Sequence, residues 1–432
     1  MKKLLVLQGP VTSRSGYGDH TRDILKSLIN MDKFDIKIVD MRWGDCPQNG
    51  IEEKDSYLKK LFLTQNLHVQ PDVFIQVSVP NEFQPKGKYN IGITAGMETT
   101  HVSAPWIEGM NRMNMNIVPS EHSKQSFINT VYDAIDKRTK QVTSQLKIEK
   151  PIEVLFEGAD ISVFNNTPEK FKSVDNQLNK IKESFCFLFV GHWLNGEHGH
   201  DRKDIGKLIE TFATTFKANP TSTRPALILK TSSATFSVID RENMKKRIKH
   251  ALSKSGLKNP PKIYLLHGNL SQDELNYLYN HPKVKAHISF TKGEGFGRPL
   301  LEASLSGKPV IASKWSGHVD FLKHAILLPG KVEKVHKSAV WKDVILEDSG
   351  WFYVNHAYAS QVMRDVFKNY KKYLPDAKKQ SIFAKENFSI ESMNNKMQDI
   401  INRNVVEEVK LNLPKINTTN KMKLPKLKKI EA

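Results

Sequence analysis

The residues of this chain that are best suited to chemistry lie in one short run, TKGEGFGRPLLE at positions 291–302. Two carboxylates in this run, Glu294 and Glu302, stand eight positions apart and are separated by glycines and a proline. Ionised carboxylates accept hydrogen bonds, so the pair could hold an elongated ligand that presents hydroxyls at two places. Glu302 also has a plainer explanation, because a Glu in a first helical turn favours the helix dipole. Together with a glycine loop that could approach a phosphate, the two acids indicate a nucleotide-sugar site.

The elements that must position these acids are predicted from the flanking residues. Residues 286–290 have the short apolar character of a buried strand, and Pro299 suits the first position of a helix. Gly307 follows residues 300–306 as a C-terminal cap, and residues 310–313 resume as a strand. The segment is therefore predicted to be a strand, a loop, a helix and a strand, with free amides at the helix start.

Residues 293–302, with a carboxylate, seven intervening residues and a second carboxylate, resemble the signature of the retaining glycosyltransferases of family 4. These enzymes have the α/β fold called GT-B, in which two Rossmann-like domains face each other across a cleft and a C-terminal helix crosses back to the first domain. The resemblance implies that Glu294 is a catalytic residue at the donor sugar, that Glu302 binds the ribose diol and that the intervening amides face the phosphates. The donor-binding residues implied in this loop are Gly293, Gly295, Phe296, Gly297 and Glu302.

The composition is that of a globular protein large enough for two domains. The chain has 432 residues, of which 39% are hydrophobic and 9% aromatic. Its two cysteines, Cys46 and Cys186, are far apart and lack metal-ligand spacing, which favours a reducing compartment and argues against a zinc site. No stretch approaches the ~20 apolar residues of a membrane span, and the apolar start ends at Gln8 without a signal-peptide cleavage site. We therefore expect a cytoplasmic protein, with peripheral contact to a membrane surface left open.

Positive charge is in excess, with 65 Lys and Arg against 46 Asp and Glu. Part of this excess lies in residues 409–432, where Leu-Pro-Lys repeats at 413–415 and 424–426 resist helix formation. The tail is predicted to be a flexible basic appendage that could touch an anionic surface. The basic clusters at 137–140 and 245–247 lack interleaved aromatic residues, so a nucleic-acid stacking groove is not indicated.

A second glycine loop lies near the N-terminus. A strand at residues 4–7 leads into a loop with Gly16 and Gly18, and an amphipathic helix is predicted over residues 21–29. Glycines in such a loop allow the backbone to approach a ligand, and the helix start presents free amides. A loop of this kind is also common as a plain turn in α/β proteins. The family resemblance implies that Gly16 and Gly18 face the donor phosphates and the acceptor across the cleft.

Further strands are predicted at residues 34–39, 73–79 and 91–94, separated by helices or loops as in a parallel sheet. Polar groups after the last of these strands lie where open α/β sheets bind ligands. Glu98 stands there and could face the sugar or the acceptor as a catalytic residue, or could only lie on a surface loop. Ser120 is predicted to cap the helix that follows the next strand.

The second domain is predicted to open with a strand at 185–191 and a long loop that contains three histidines. This loop lacks a matching ligand cluster, so a metal site is not favoured. Relatives place an Arg and a Lys after this strand, where both cations clamp the diphosphate as the leaving group gains charge. Lys203 matches the lysine, and Arg202 is the candidate to replace the arginine, which is absent from its usual earlier position. Lys230, after the apolar run 226–229, could meet a phosphate, although an ordinary strand-end lysine is the plainer explanation.

The loop after a predicted strand at 263–266 resembles the loop that receives the nucleotide base in this family. Asn269 and Leu270 are the donor-binding candidates in it. Ser271 and Glu274 form a capping box, so their side chains are predicted to be structural. Base contacts would then come mostly from the main chain, which leaves uracil, guanine and adenine open.

The predicted domain organisation has five parts, the fourth of which contains an amphipathic helix at residues 390–401. They are an N-terminal Rossmann-like, acceptor-side domain (1–165), a linker (166–182), a C-terminal Rossmann-like nucleotide-sugar-binding domain (183–385), a helix returning to the first domain (386–408) and the basic tail (409–432).

The sequence therefore predicts a metal-independent, retaining glycosyltransferase that uses a UDP- or GDP-sugar donor and no cofactor. Binding energy concentrated on the departing diphosphate would lower the barrier without a metal. A sugar-nucleotide epimerase on the same fold, a nonenzymatic nucleotide- or DNA-binding protein and a DNA-base-directed glycosyltransferase remain alternatives. Acceptor contacts would come from first-domain loops that carry no recognisable motif. A glycan, a lipid, a protein and modified DNA therefore all stay open as acceptors, as does the oligomeric state.

Overall fold

The computed structural model describes residues 2–405 except residues 66, 137 and 234. The tail predicted for residues 409–432 lies outside the described residues, as does one member of the basic cluster at 137–140. The first half of the chain alternates strands with helices. Its elements are β1 (Lys3–Gly9), α1 (Gly16–Asn30), β2 (Phe34–Asp40), β3 (Val73–Val77), β4 (Tyr89–Ile93), α2 (Ala104–Asn111), β5 (Met115–Val118), α3 (Glu121–Asn129), β6 (Tyr132–Ile135), β7 (Val142–Leu146) and β8 (Ile152–Val154).

Six strands of the first half form a parallel sheet in the order β2-β1-β3-β4-β5-β8. Leu5 of the central strand β1 lies beside Ile36 on one side and Val73 on the other, and all three side chains are buried. A parallel strand covered on both faces needs apolar residues at successive positions, which is why β1 and β3 are visible as apolar runs in the sequence. The parallel sheet predicted for this half is confirmed.

Helix α1 begins earlier than the sequence pattern predicts. Ser15 takes the N-cap position, and its side chain accepts a hydrogen bond from the amide of Gly18 at 3.1 Å. The prediction of a helix from residue 21 is therefore wrong at its N-terminus. Gly16 and Gly18 belong to the first helical turn rather than to an open loop before it.

A hairpin formed by β6 and β7 is absent from the sequence prediction. Tyr132 lies opposite Leu146 at its base, and Ile135 lies opposite Val142 near its tip, where both side chains are more than half exposed. Strands that are exposed on both faces do not alternate apolar and polar residues. Their sequence therefore carries no recognisable strand pattern.

The second half repeats the alternation of strands and helices. The predicted linker at residues 166–182 contains a short helix, whose Val174 and Leu178 are buried. Within the described residues, no helix is both long and apolar enough to span a bilayer. The elements are α4 (Lys172–Leu178), β9 (Cys186–Val190), α5 (Ile205–Thr215), β10 (Ala226–Lys230), α6 (Val238–Lys254), β11 (Ile263–Leu266), α7 (Gln272–Asn280), β12 (Val284–Ser289), α8 (Arg298–Leu305), β13 (Val310–Ser313), β14 (Ile326–Leu328), β15 (Gly330–Lys334), β16 (Gly350–Val354), α9 (His356–Lys368), α10 (Tyr370–Asn387) and α11 (Ile390–Asn404).

The second sheet has the strand order β11-β10-β9-β12-β13-β14 and is parallel throughout. The strand order reverses between β9 and β12. From β9 the chain continues outward through β10 to β11, and from β12 it continues outward on the other side through β13 to β14. Ligands of open α/β sheets bind outside the carboxyl ends of the strands at such a reversal. The loops that follow β9 and β12 carry Lys203 and Glu294 respectively, so both side chains belong to this crevice.

A second hairpin, formed by β15 and β16, carries a loop at residues 335–349 that reaches the first half. The Ser103 hydroxyl donates a hydrogen bond to the carbonyl of Asp343 at 2.8 Å, and the Thr100 amide donates to the carbonyl of Gly350 at 2.9 Å. This hairpin places a loop of the second half beside the segment that follows Glu98.

Helix α11 returns to the first half, as predicted, and packs against α1 with Met393 and Met397 buried. Just before it, the Ala159 amide donates to the carbonyl of Phe388, and the Ile390 amide donates to the carbonyl of Ala159, both at 2.9 Å. These hydrogen bonds fix the point at which the chain passes back from the second half.

Candidate functional site

Two cations and a carboxylate meet at the carboxyl ends of β9 and β12. The Lys203 ammonium forms an ion pair with Glu294 Oε1, and Arg202 Nη1 lies 3.1 Å from Glu294 Oε2. The same guanidinium lies 3.5 Å from Glu98 Oε1, which comes from the first half of the chain. The structure thus brings together the four residues that the sequence predicts to be catalytic. Their catalytic roles stay predictions.

The charges in this cluster have shifted pKa values. Burial alone would raise the pKa of Glu294, but Lys203 and Arg202 outweigh burial and lower it to about 2. Burial lowers the pKa of Lys203, and the neighbouring Arg202 adds to this effect while Glu294 opposes it. Glu294 is therefore ionised at neutral pH and lies between two cations, of which Lys203 is buried and Arg202 is partly exposed.

Two of the three glycines of the loop at 293–297 are required by contacts between the two halves. A Cβ atom on Gly293 would lie 1.9 Å from the carbonyl oxygen of Glu98, and one on Gly295 would lie 2.2 Å from that of Ala95. The Ser120 hydroxyl donates a hydrogen bond to the Gly295 carbonyl at 2.6 Å. Close approach to a ligand is therefore not needed to explain these two glycines, because protein backbone already fills the space beside them.

We expect Gly295→Ala to lower the thermal unfolding midpoint by about 5 °C, because the added methyl group would push the Ala95 carbonyl away. Differential scanning fluorimetry would measure this change. Gly16→Ala is the matched control, since a Cβ atom at Gly16 meets no heavy atom within 4 Å. An unchanged midpoint in Gly295→Ala would show that the loops of Ala95 and Gly295 can move apart without a loss of stability.

Glu302 lies in the first turns of α8, as predicted, and its carboxylate is almost fully buried. Arg298 Nε donates to Glu302 Oε1 at 3.2 Å, and the Tyr279 hydroxyl donates to Oε2 at 3.4 Å. Burial raises the pKa of Glu302 to about 7, although Arg298 acts in the opposite direction. The Glu302 carboxyl is therefore expected to change between its protonated and ionised forms near neutral pH.

Arg298 is the residue of this site that the sequence analysis misses. It occupies the first position of α8, four residues before Glu302, and its Nη1 donates to Asp23 Oδ2 of α1 at 2.7 Å. The spacing of four residues on a helix could have indicated the pair with Glu302. No pattern in the sequence around Arg298 indicates its contact with Asp23.

Lys230 connects the end of β10 to the loop predicted to receive the base. Its ammonium donates to the carbonyl of Gly268 at 2.7 Å and lies 5.4 Å from the ring centre of Phe236. Burial lowers the pKa of Lys230 to about 8. Lys230 therefore supports the loop that contains Asn269 and Leu270, and a contact of these three residues with a donor stays a prediction.

The predicted capping box of that loop is confirmed. The Ser271 hydroxyl accepts from the Glu274 amide at 3.1 Å, and the Glu274 carboxylate accepts from the Ser271 amide at 2.9 Å. Both side chains are occupied by the start of α7, so the structural role predicted for them holds.

The two glycines at the start of α1 differ in their surroundings. A Cβ atom on Gly18 would lie 2.1 Å from the Ser13 carbonyl, whereas the space beside Gly16 is open. Gly18 is therefore required by the loop that precedes the helix. Gly16 is the glycine of this pair that leaves room for an approaching ligand.

A fully buried ion pair lies beneath the cluster. Lys292 Nζ is 2.8 Å from Asp204 Oδ1, and both side chains have no exposed surface. The Lys292 amide donates to the Arg202 carbonyl at 2.7 Å, and the Lys292 ammonium donates to the Asp201 carbonyl at 3.1 Å. These contacts join the loop after β9 to the loop after β12, so they hold the two cations beside Glu294.

We expect Lys292→Met to reduce the free energy of unfolding by about 3 kcal/mol, because it leaves Asp204 as a buried carboxylate without its main partner. Urea titration followed by circular dichroism would measure the loss. Lys331→Met removes an exposed lysine that pairs with Glu333 and should cost under about 0.5 kcal/mol. Equal losses in the two variants would contradict a special role for the buried pair.

Residues 173–346 match the family described as glycosyl transferases group 1. This segment contains Arg202, Lys203, Glu294 and Glu302, so most of the cluster lies within the part of the chain that matches this family. Comparison with curated proteins gives no match.

Solved structures of glycosyltransferases share the fold of nearly the whole chain. Anabaena Alr3699/HepE in complex with UDP-glucose is 14% identical, with 92% of this chain and 99% of that chain covered and a TM-score of 0.55. A glycosyltransferase from Rickettsia africae ESF-5 is 14% identical, with 94% and 99% covered and a TM-score of 0.60. Sucrose-phosphate synthase from Thermosynechococcus elongatus is 13% identical, with 93% and 99% covered and a TM-score of 0.59. The predicted GT-B fold is thereby confirmed.

Proposed function

We propose that this protein transfers a sugar from a nucleoside diphosphate sugar to an acceptor, with retention of anomeric configuration. The observation that carries this proposal is the contact of Lys203 and Arg202 with Glu294 where the strand order of the second sheet reverses. Cations at this position can neutralise a departing diphosphate, and a carboxylate beside them can accept a sugar hydroxyl. The group 1 glycosyltransferase match of residues 173–346 supports the same reaction class.

Lys203 and Arg202, the two cations proposed to bind the diphosphate, are both paired with Glu294 in this structure. A bound donor would compete for Lys203 and Arg202, which would free Glu294 to accept a hydrogen bond from the sugar. Before a donor binds, the carboxylate is ionised at neutral pH, because Lys203 and Arg202 lower its pKa to about 2. An ionised Glu294 can accept a hydrogen bond from a sugar hydroxyl.

Retention is proposed to result from same-face attack, in which the leaving phosphate assists the incoming acceptor group. Glu294 is not proposed to be the nucleophile, because its carboxylate is assigned to a hydrogen bond from the sugar. Lys203 and Arg202 supply positive charge beside the leaving group, so the reaction is proposed to need no divalent metal. Transfer is expected to be the same with and without EDTA.

Glu302 is proposed to bind the ribose, as the family resemblance implies. UDP-glucose is the first donor to test, because the similar Alr3699/HepE structure contains it. GDP- and ADP-linked sugars belong in the same panel, since the loop at Asn269 and Leu270 leaves uracil, guanine and adenine open. Glu98 and the adjacent loop at 335–349 are proposed to lie on the acceptor side.

The test offers UDP-, GDP- and ADP-sugars with glycan, lipid, protein and modified-DNA acceptors, and follows the products by mass spectrometry. We expect a nucleoside diphosphate and a glycosylated acceptor to appear together, with the donor's anomeric configuration in the product by NMR. A changed sugar formed without any acceptor would favour the epimerase. Failure to bind every nucleotide sugar would contradict the proposal.

A further inference from the structure

Arg298 joins the two halves of the chain beside the proposed ribose carboxylate. Its Nη1 donates to Asp23 of α1 at 2.7 Å, and its Nε donates to Glu302 of α8 at 3.2 Å. The three side chains retain about a tenth of their exposure, between 8% and 12%. A planar guanidinium can donate in two fixed directions at once, which a lysine ammonium on a flexible stem cannot do with the same geometry.

Several carboxyl groups surround this guanidinium. Burial raises the pKa of Glu157 to about 8 and also raises the pKa of Asp23, while Arg298 lowers both. Asp19 adds negative charge near Glu302 and forms its own ion pair with Arg22.

The remaining neighbours do not take over the role of Arg298. His20, also on α1, is uncharged at neutral pH because burial lowers its pKa to about 3, and the ammonium of Lys26 pairs with Asp55 at 2.6 Å. Tyr279 of α7 donates to Glu302 without a charge. The guanidinium of Arg298 is therefore the cation that touches both Asp23 and Glu302 among the described residues.

We propose that Arg298 is a positioning residue whose contact with Asp23 makes donor affinity depend on contact between the two halves. The inference deepens the proposed function and rests on it, because it assigns Glu302 to the donor. When Asp23 holds Nη1, the Nε–H bond fixes Glu302 Oε1 in one orientation. When the halves separate, Asp23 leaves with α1 and the guanidinium is free to turn, so Glu302 loses its fixed orientation.

Three substitutions separate charge from geometry. Asp23→Asn keeps the size of the side chain but removes the charged anchor. Arg298→Lys keeps the positive charge but cannot bridge in two directions, and Arg298→Met removes the charge. The matched control is Glu153→Gln, which breaks an exposed ion pair of 3.0 Å between the first half and Arg403 of α11.

The experiment measures the dissociation constants of UDP, GDP and ADP by calorimetry from pH 6 to pH 9, for the full chain. We expect Asp23→Asn and Arg298→Lys to weaken binding of the best nucleotide about tenfold at pH 8, within the usual range of coupling between sites. The control should stay within about twofold of the unchanged protein.

The pH profile tests positioning separately from folding. Binding should strengthen as pH rises through the pKa of Glu302, which is about 7, because the ionised carboxylate accepts the ribose hydroxyls. Arg298→Met removes a charge that lowers this pKa, so the midpoint should move up by about one unit. Arg298→Lys should keep the midpoint near that of the unchanged protein. A mere loss of folding would move neither midpoint.

Different outcomes separate this inference from the proposed function. If UDP, GDP or ADP binds but Asp23→Asn keeps full affinity, the inference is wrong and the donor site stands. The same holds if Arg298→Met keeps the original pH midpoint. If the unchanged protein binds none of the three nucleotides at any pH, the donor site and the inference are both overturned.

Discussion

Lys203→Met is expected to lower the turnover number for sugar transfer by about 10³-fold. The Lys203 ammonium is buried next to Glu294, where it is proposed to meet the diphosphate as negative charge develops on it. Removal of one preorganised charge-stabilising donor typically costs about 10²- to 10³-fold in turnover. Steady-state release of the nucleoside diphosphate, measured at saturating donor and acceptor, would determine the loss.

The control for this prediction is Lys207→Met. Lys207 lies four residues further on, in α5, and pairs with Glu210 at 2.9 Å. Its loss should change turnover less than about threefold, as is usual for a partly exposed ion pair. Comparable turnover numbers for the two variants would remove Lys203 from the catalytic machinery.

Glu302→Gln is expected to weaken binding of the donor nucleotide about 50-fold at pH 8. A carboxylate that accepts two ribose hydroxyls forms charge-assisted hydrogen bonds of about 1.5–3 kcal/mol each, and an amide replaces them only in part. Isothermal calorimetry with UDP-glucose, whose diphosphate does not titrate near neutral pH, would measure the change, and the pH dependence near 7 should disappear with the Glu302 carboxyl. Retention of that pH dependence would assign it to another residue.

The same substitution should make the folded protein more stable above pH 7. The folded pKa of Glu302 lies above its ordinary value, so the folded state binds the proton more tightly than the unfolded state does. Stability is therefore lost as pH rises from the ordinary pKa through about 7, and glutamine avoids this loss. A higher unfolding temperature combined with weaker binding would show that the carboxylate is kept for its ligand rather than for the fold.

The segment at residues 284–307, which contains the proposed donor-binding loop, could be predicted because its signals are local. The strand found at Val284–Ser289, the helix from Arg298 and the cap at Gly307 follow from neighbouring apolar residues, a proline and a glycine. The physical reason for Gly293 and Gly295 could not be predicted, since the atoms that exclude a side chain belong to residues 95–98.

Arg298 was missed for a similar reason. Its partner Asp23 is 275 positions away in the chain, and only the folded arrangement brings α1 against α8. The start of α1 was missed for a different reason. Ser15 takes the N-cap position, and a pattern of apolar residues gives no information about a capping hydroxyl.

The crossing at Ala159 and Phe388 has a consequence for exchanging halves between related enzymes. Helix α11 is encoded after the second half, yet its buried methionines pack on α1 of the first. A hybrid that joins a foreign second half at a single junction would therefore import a foreign helix onto the first half. Two junctions are needed, one between β8 and α4 and one near Phe388, so that the returning helix stays with the half that it covers.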